Sequence, residues 1–319
     1  MGGATPGGPA LTPERRPASV AANGITLAYD SFGEDAAETI LLIAGLGTQM
    51  IRWADPFCAA LAGRGYRVVR FDNRDAGRST NFIGHGAMDF ATLAAALAEG
   101  RRPELAYMIA DMALDAVGLL DALSIRQAHV VGRSMGGMIA QILASEHPSR
   151  VLSLTSIMSS TGNPSLPSAA PDAMAMMMRP APDPALDAAG FIDHAVAFAR
   201  RIAGSLHPLD EEAYRMQIRA ELHRGYVQGG LGRQVAAVGL AGDRRARLST
   251  IRAPTLVIHG TEDALFPLAC GADTARSIPG ARFLPIEGMG HDLPSSLYWT
   301  IADAIEGTAS RQAMKPSGE

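Results

Sequence analysis

The chain has 319 residues, 47% hydrophobic and 19% charged, with a formal net charge of −4; this suits one large globular domain, or a core with an insertion, and not the basic footprint that nucleic-acid binding requires. Two cysteines, Cys58 and Cys270, are too few for a disulfide framework and fall in apolar, helix-like stretches, which reads as two buried free thiols. No apolar run reaches the length needed to cross a bilayer, so no membrane span is expected.

Residues 1–18 are expected as a disordered arm. The stretch is rich in Gly and Pro up to Pro17 and lacks the charged and apolar regions of a signal peptide. Pro6 stands where a myristoylation site takes Ser or Thr. A cytoplasmic location is the default expectation. Ser19-Val20-Ala21-Ala22 and Ile25-Thr26-Leu27-Ala28-Tyr29-Asp30 flank Asn23-Gly24, a strong hairpin signal. The apolar run Thr39-Ile40-Leu41-Leu42-Ile43-Ala44 predicts a strand covered on both faces, ending in the loop Gly45-Leu46-Gly47. Residues 53–63 read as helix, 66–72 as strand and 73–79 as loop. A helical patch surrounds Ala91 to Ala98, and Met108, Met112, Val117, Leu120 and Leu123 share one helical face. Strand 128–133, helix 135–146 and strand 151–158 follow. Strand and helix alternating across short connections predict an α/β fold: a mostly parallel, doubly wound sheet with helices on both faces.

The pattern changes near residue 160. Residues 161–185 carry Pro164, Pro167, Pro171, Pro180, Pro182 and Pro184 around the cluster Met174, Met176, Met177 and Met178. Residues 186–204, 209–227 and 230–241 read as helices, and no strand signal returns until 254–260. Residues 161–248 are therefore expected as a helical cap inserted into a core of residues 19–160 and 249–308. Residues 281–286 read as the last strand, 296–306 as the last helix and 309–319 as a flexible tail.

The chemistry centres on Gly132-Arg133-Ser134-Met135-Gly136, placed between a strand and a helix. That context presents the Ser134 hydroxyl on a sharp turn at a helix N-terminus, whose N–H groups suit negative charge. A serine needs a base to become a nucleophile, and histidine titrates near neutrality. Of eight histidines, His129 and His259 fall inside strands, His147 ends a helix, and His194, His207 and His223 lie in the insertion. His85 stays in reserve in a loop. His291 follows the last strand on a glycine-rich approach, Gly288-Met289-Gly290, which makes it the expected base. Asp263, in the loop after a late strand, is the expected orienting acid, with Glu262 its solvent-facing neighbour. The oxyanion donors are expected to be the backbone N–H groups of Met135 and Leu46.

These stretches together carry a resemblance. AGLG at 44–47, GRSMGG at 132–137, GTEDALFP at 260–267 and GMGHDLP at 288–294 stand in the order of α/β-hydrolase fold enzymes. DNRDAGRST at 72–80 resembles the loop after the fourth core strand of those enzymes. Within that superfamily the chain most resembles bacterial anthracycline methylesterases of the aclacinomycin methylesterase type. The resemblance implies a serine esterase with Ser134, Asp263 and His291 as triad and Leu46 and Met135 as oxyanion donors. It departs at Ala44-Gly45, where many relatives have His-Gly, and at Arg133, a large charged residue at a position often smaller.

The expected reaction is transfer of an acyl group from a small-molecule ester to Ser134 and then to water, with no metal or organic cofactor. Met174, Met176 and Met177 of the cap, with Leu265, are the expected apolar substrate pocket. The same triad on the same scaffold also serves carbon–carbon bond hydrolysis and acyl transfer to other acceptors. A hydrolase-fold ligand-binding module is the alternative of another class.

Overall fold

The computed structural model describes residues 15–86 and 90–313. The expected arm at 1–14 and the tail at 314–319 lie outside the described residues. Asn23 and Gly24 both take positive φ, 48° and 75°, the two-residue turn whose twist matches a hairpin. It folds β1 (Arg16–Ala22) antiparallel onto β2 (Ile25–Phe32). The edge strand therefore takes in residues 16–18 of the expected arm, where Arg16 pairs with Ser31 in the ladder and its guanidinium meets Asp35 at 3.0 Å.

In chain order follow β3 (Thr39–Ile43), α1 (Asp55–Ala62), β4 (Arg67–Phe71), α2 (Phe90–Ala98), α3 (Ile109–Ala122), β5 (Ala128–Arg133), α4 (Met135–Glu146) and β6 (Val151–Ile157). Five helices come next: α5 (Pro171–Met178), α6 (Ala188–Ile202), α7 (Glu211–Arg224), α8 (Gly230–Gly239) and α9 (Arg245–Leu248). The chain then returns to β7 (Thr255–Gly260), α10 (Leu268–Ser277), β8 (Arg282–Ile286) and α11 (Tyr298–Ala313). The strands form one eight-stranded sheet in the order β1-β2-β4-β3-β5-β6-β7-β8. The β1–β2 and β2–β4 pairs are antiparallel and all others parallel.

β3 shows why its sequence is apolar throughout. Leu41 and Ile43 pack with Met112, Leu119 and Ile139 of α3 and α4 on one face, while Ile40 and Leu42 pack with Phe57, Leu61 and Ile301 of α1 and α11 on the other. Alternate side chains leave opposite faces of a strand, so a central strand needs an apolar residue at every position. Each such fully buried aliphatic contributes on the order of 1.5–3 kcal/mol.

Two helices depart from the sequence expectation. α5 forms inside the proline-rich stretch because Pro171 occupies its first turn, where the missing N–H breaks no helical bond. α11 runs to Ala313, well past the expected end at 306 and into the expected tail, because Ile305, Thr308 and Ala309 continue its buried face. Among the described residues no helix is long and apolar enough to cross a membrane.

Candidate active site

Ser134 sits between β5 and α4 at φ 54° and ψ −122°, outside the helical and strand regions. Such a conformation costs on the order of 1–3 kcal/mol and persists only where the surroundings impose it. Here the Ser134 N–H donates to the Ile157 carbonyl at the end of β6, 2.9 Å. Its carbonyl accepts from the Gly137 N–H at 2.9 Å and the Ser159 hydroxyl at 2.8 Å. The flanking glycines are required by close approach. A Cβ on Gly132 would strike the Gly136 carbonyl, and one on Gly136 would strike the carbonyls of Ile43 and Ala44.

The structure brings the three sequence-predicted side chains together. The His291 ring lies 3.0 Å from Ser134 Oγ through Nε2 and 2.7 Å from Asp263 Oδ2 through Nδ1. Asp263 and His291 are buried. Asp263 Oδ1 accepts the N–H groups of Leu265 and Phe266 at 2.9 and 2.8 Å, so the loop after β7 wraps around its own carboxylate. With Nδ1 donating to Asp263, Nε2 is left as acceptor for the Ser134 hydroxyl. The His291 N–H donates to the Ile202 carbonyl at the end of α6, 2.8 Å, and the Phe266 ring packs edge-on at 5.6 Å. Glu262 turns away to bond Ser205 at 2.6 and 2.7 Å.

His259, a core strand residue by sequence, also stands behind Asp263. Its Nε2 donates to the Phe266 carbonyl at 2.6 Å and lies 3.4 Å from Asp263 Oδ2. Burial holds its pKa below the ordinary histidine value, so the ring is neutral at pH 7. His129, also a strand residue by sequence, bonds Ser153 and Glu38, and the carbonyl of His85, the histidine held in reserve, accepts from Arg233. Burial pushes the free thiols of Cys58 and Cys270 up to about 12 and about 11, so both stay protonated.

The loop after β3 lies against the serine, since a Cβ on Gly45 would come within 3.4 Å of Ser134 Cβ. Leu46 follows on this loop, and Met135 is the buried first residue of α4. Residues from α7 and α8 hold the loop, and no motif or spacing in the sequence marks them. The Gly47 N–H donates to Gln234 Oε1 at 2.7 Å, and Gln234 Nε2 donates to the Arg74 carbonyl at 2.8 Å. Gln49 Nε2 donates to the carbonyls of Glu221 and Gly225 at 2.8 and 2.7 Å. Arg224 meets Asp72 at 2.6 Å, and Arg233 grips both oxygens of Asp75 at 2.8 Å. Burial alone would raise the Asp75 pKa, but the hydrogen bonds from Arg233, the Phe82 N–H and Tyr107 outweigh it and hold the group below the ordinary carboxylate value.

Met174, Met176 and Met177 line α5 and are half-buried, as is Leu265. The Ala170 N–H donates to the Ala264 carbonyl at 2.8 Å, tying the start of α5 to the Asp263 loop. Arg133 is buried at the end of β5, its guanidinium carbon 5.9 Å from the Trp53 ring centre. Burial lowers its pKa below the usual arginine value, against the attraction of Asp292.

A family model described as the alpha/beta hydrolase fold matches residues 38–294. Rhodomycin D methylesterase of Streptomyces sp. strain C5 is 32% identical over 299 residues, which cover 88% of this chain and 94% of that one. Rhodomycin D methylesterase of Streptomyces peucetius is 31% identical over 304 residues, with coverage of 88% and 94%. Among solved structures the enol-lactonase of Burkholderia xenovorans LB400 superposes with a TM-score of 0.66 at 24% identity, over 93% of this chain and 100% of that one, a likeness of fold. With an elbow, a late-strand acid and a last-strand histidine on this sheet, the chain belongs to the α/β-hydrolase fold family.

Proposed function

We propose that the protein is a carboxylic ester hydrolase that works through an acyl-serine intermediate. The observation that carries this reading is the unbroken contact chain from Ser134 Oγ to His291 at 3.0 Å and from His291 to Asp263 at 2.7 Å. The methylesterases that cover most of the chain at 31–32% identity support the choice of ester over other bonds.

Ser134 Oγ attacks the ester carbonyl while its proton passes to His291 Nε2. Asp263 holds the ring tautomer and stabilises the imidazolium. The N–H groups of Leu46 and Met135 receive the developing oxyanion; one such donor is worth on the order of 2.7–4 kcal/mol. Collapse breaks the bond to the alcohol oxygen, which takes the proton from His291. Water then attacks the acyl-serine and gives a proton to His291, and as the tetrahedral intermediate collapses His291 returns that proton to Ser134 Oγ, releasing the carboxylic acid and free Ser134. Every proton is carried by named side chains, so the cycle needs no metal or organic cofactor.

Residues 161–248 act as a cap over this site. Their α6 end carries the carbonyl that holds the His291 backbone, and α8 carries Gln234 on the oxyanion loop. Met174, Met176, Met177 and Leu265 form the apolar side of the substrate pocket, methionine suiting irregular apolar groups. The test is a p-nitrophenyl ester series from acetate to palmitate, with a serine-directed phosphonate as control. Steady turnover that the phosphonate stops, and that Ser134→Ala abolishes, is expected. Turnover that survives in Ser134→Ala overturns the reading. Single-turnover modification without release points to a ligand-binding module instead.

A further inference from the structure

Arg133 has no place in the mechanism above, and its surroundings differ from those of the other buried arginines. Arg70 meets Asp30 and Asp55 at 2.8 and 2.6 Å. Arg74 grips both oxygens of Asp115 at 2.6 Å, and Arg233 both oxygens of Asp75. Arg52 holds Glu221 at 2.6 and 2.9 Å. Arg244 forms no ion pair within 4.0 Å among the described residues but donates to the Ser160 and Gly242 carbonyls and to Gln141. Buried cations are expected to be paired in this way, because an unpaired one pays several kcal/mol of lost hydration.

Arg133 is only 8% exposed, yet among the described residues no carboxylate lies within 4.0 Å of it. Its one hydrogen bond is a long one, from Nη1 to the Arg52 carbonyl at 3.5 Å, and its Nε has no acceptor. The fully buried Trp53, whose ring the guanidinium faces, also has an unpartnered donor at Nε1. Two side chains with orphaned donors thus stand face to face, and one of them, Arg133, immediately precedes the nucleophile in sequence. The charged groups that act on Arg133 are Asp292, next to His291, which attracts it, and Arg52 before α1, which repels it; Tyr214 on α7 and Tyr298 on α11 also lie near. Arg133 therefore lies where the end of β5, the His291 loop and the inserted helices meet. Arg52 is already neutralised by Glu221, and Asp292 attracts Arg133 without forming an ion pair within 4.0 Å, which leaves Arg133 as the member of this group with no carboxylate in contact.

We infer that Arg133, with Trp53 Nε1 beside it, receives a carboxylate of the substrate, so that the preferred esters carry a second, ionised carboxyl group. The inference rests on the ester-hydrolase reading. The planar guanidinium fork matches the two oxygens of a carboxylate, and the indole N–H adds a further donor. A ligand carboxylate in this position supplies the contact ion pair that Asp292, beyond 4.0 Å, does not. Binding then draws on a buried cation that, among the described residues, makes no ion pair within 4.0 Å.

The experiment compares matched esters in two arms. Monomethyl glutarate against methyl pentanoate places the carboxylate on the acyl side, and 4-acetoxybutanoate against butyl acetate places it on the alcohol side. The wild-type enzyme is expected to favour the charged member of one arm in kcat/KM by on the order of ten- to a hundredfold. In Arg133→Met that ratio falls to near one, with the loss carried by KM, and Arg133→Lys restores part of it. Trp53→Phe, which keeps an apolar ring and removes only the indole donor, lowers the ratio by a smaller factor, so the inference survives a misfolded Arg133→Met. No preference in either arm, or an equal loss on both members that leaves the ratio intact, overturns it. Ser134→Ala separates the two readings. If it is dead while wild type shows no preference, only the Arg133 inference fails; if it is active, the ester-hydrolase reading fails first.

Discussion

The strand ends that carry Ser134, Asp263 and His291 and the helices inserted between β6 and β7 are held by different means. Ser134 is fixed by backbone bonds to the end of β6, and Asp263 by N–H groups of its own turn. The inserted helices α7 and α8 grip the core mainly through side chains: Arg224 on Asp72, Arg233 on Asp75, Gln234 between Gly47 and Arg74. Backbone bonds follow from sheet geometry and survive changes of side chain. Side-chain clamps depend on single residues. The reacting groups are therefore set by the architecture, while the loop and pocket around them are set by individual contacts that are open to substitution.

The largest expected effect comes from the first region. Asp263→Asn keeps size and shape, and the Leu265 and Phe266 N–H groups retain an acceptor. Its amide nitrogen, facing His291, favours the wrong ring tautomer. A loss of kcat on the order of 10⁴-fold is expected, with stability little changed, measured by ester turnover beside a urea melt. A loss below tenfold would mean that Asp263 does not orient the base.

This difference in construction also decides what the sequence disclosed. The elbow, the late-strand acid, the last-strand histidine and the glycine loop after β3 are local patterns, and their order along a parallel sheet assigns them. Gln234, Arg224 and Arg233 follow no local pattern. Each is a polar residue on a helix, which reads as solvent-facing, and Asp75 stands 158 residues from Arg233. α5 was hidden because proline marks a break except in a first turn. Residues 16–18 were hidden because Arg-Pro-Ala has little strand propensity, and pairing with residues 29–31 overrides it. Arg133 was visible as an oddity, but only the packed structure reveals that its Nε is buried with no acceptor.

Breaking one side-chain clamp tests the second half of the comparison. Arg233→Met leaves Asp75 buried with its charge uncompensated apart from Tyr107 and the Phe82 N–H. Removing one partner of a buried pair costs about 3–5 kcal/mol, read from the urea midpoint. Arg233→Met with Asp75→Asn is expected to recover much of that loss. A single variant as stable as wild type would show that α8 is held by its apolar contacts instead.

A subtler break acts on the oxyanion loop without removing a charge. Gln234→Met keeps the volume and deletes both the acceptor for Gly47 and the donor to Arg74. The loop loses its fixed position, and kcat is expected to fall roughly tenfold with KM little changed, since the oxyanion exists only beyond the ground state. A rise in KM alone would assign Gln234 to substrate binding rather than to the loop.

The smallest expected effect separates the two regions by pH. His129 and His259 are fully buried in the sheet, and burial holds both below the ordinary histidine pKa, with Glu38 partly offsetting it at His129. Between their folded values and about 6.5, the unfolded chain binds protons that the folded chain refuses. Stability is therefore complete above pH 6.5 and declines as pH falls below it, by at most about 1.4 kcal/mol per pH unit for each histidine. Asp75, held below the ordinary carboxylate value by Arg233, titrates only in a more acidic range, so the α8 clamp stays closed while the sheet loosens. His129→Gln is expected to flatten part of the decline in urea midpoint between pH 7.5 and 5.5, the remainder belonging to His259 and to His194 on α6, whose pKa is also lowered. An unchanged slope in that variant would show that His129 carries none of the pH sensitivity, leaving it to His259 and His194.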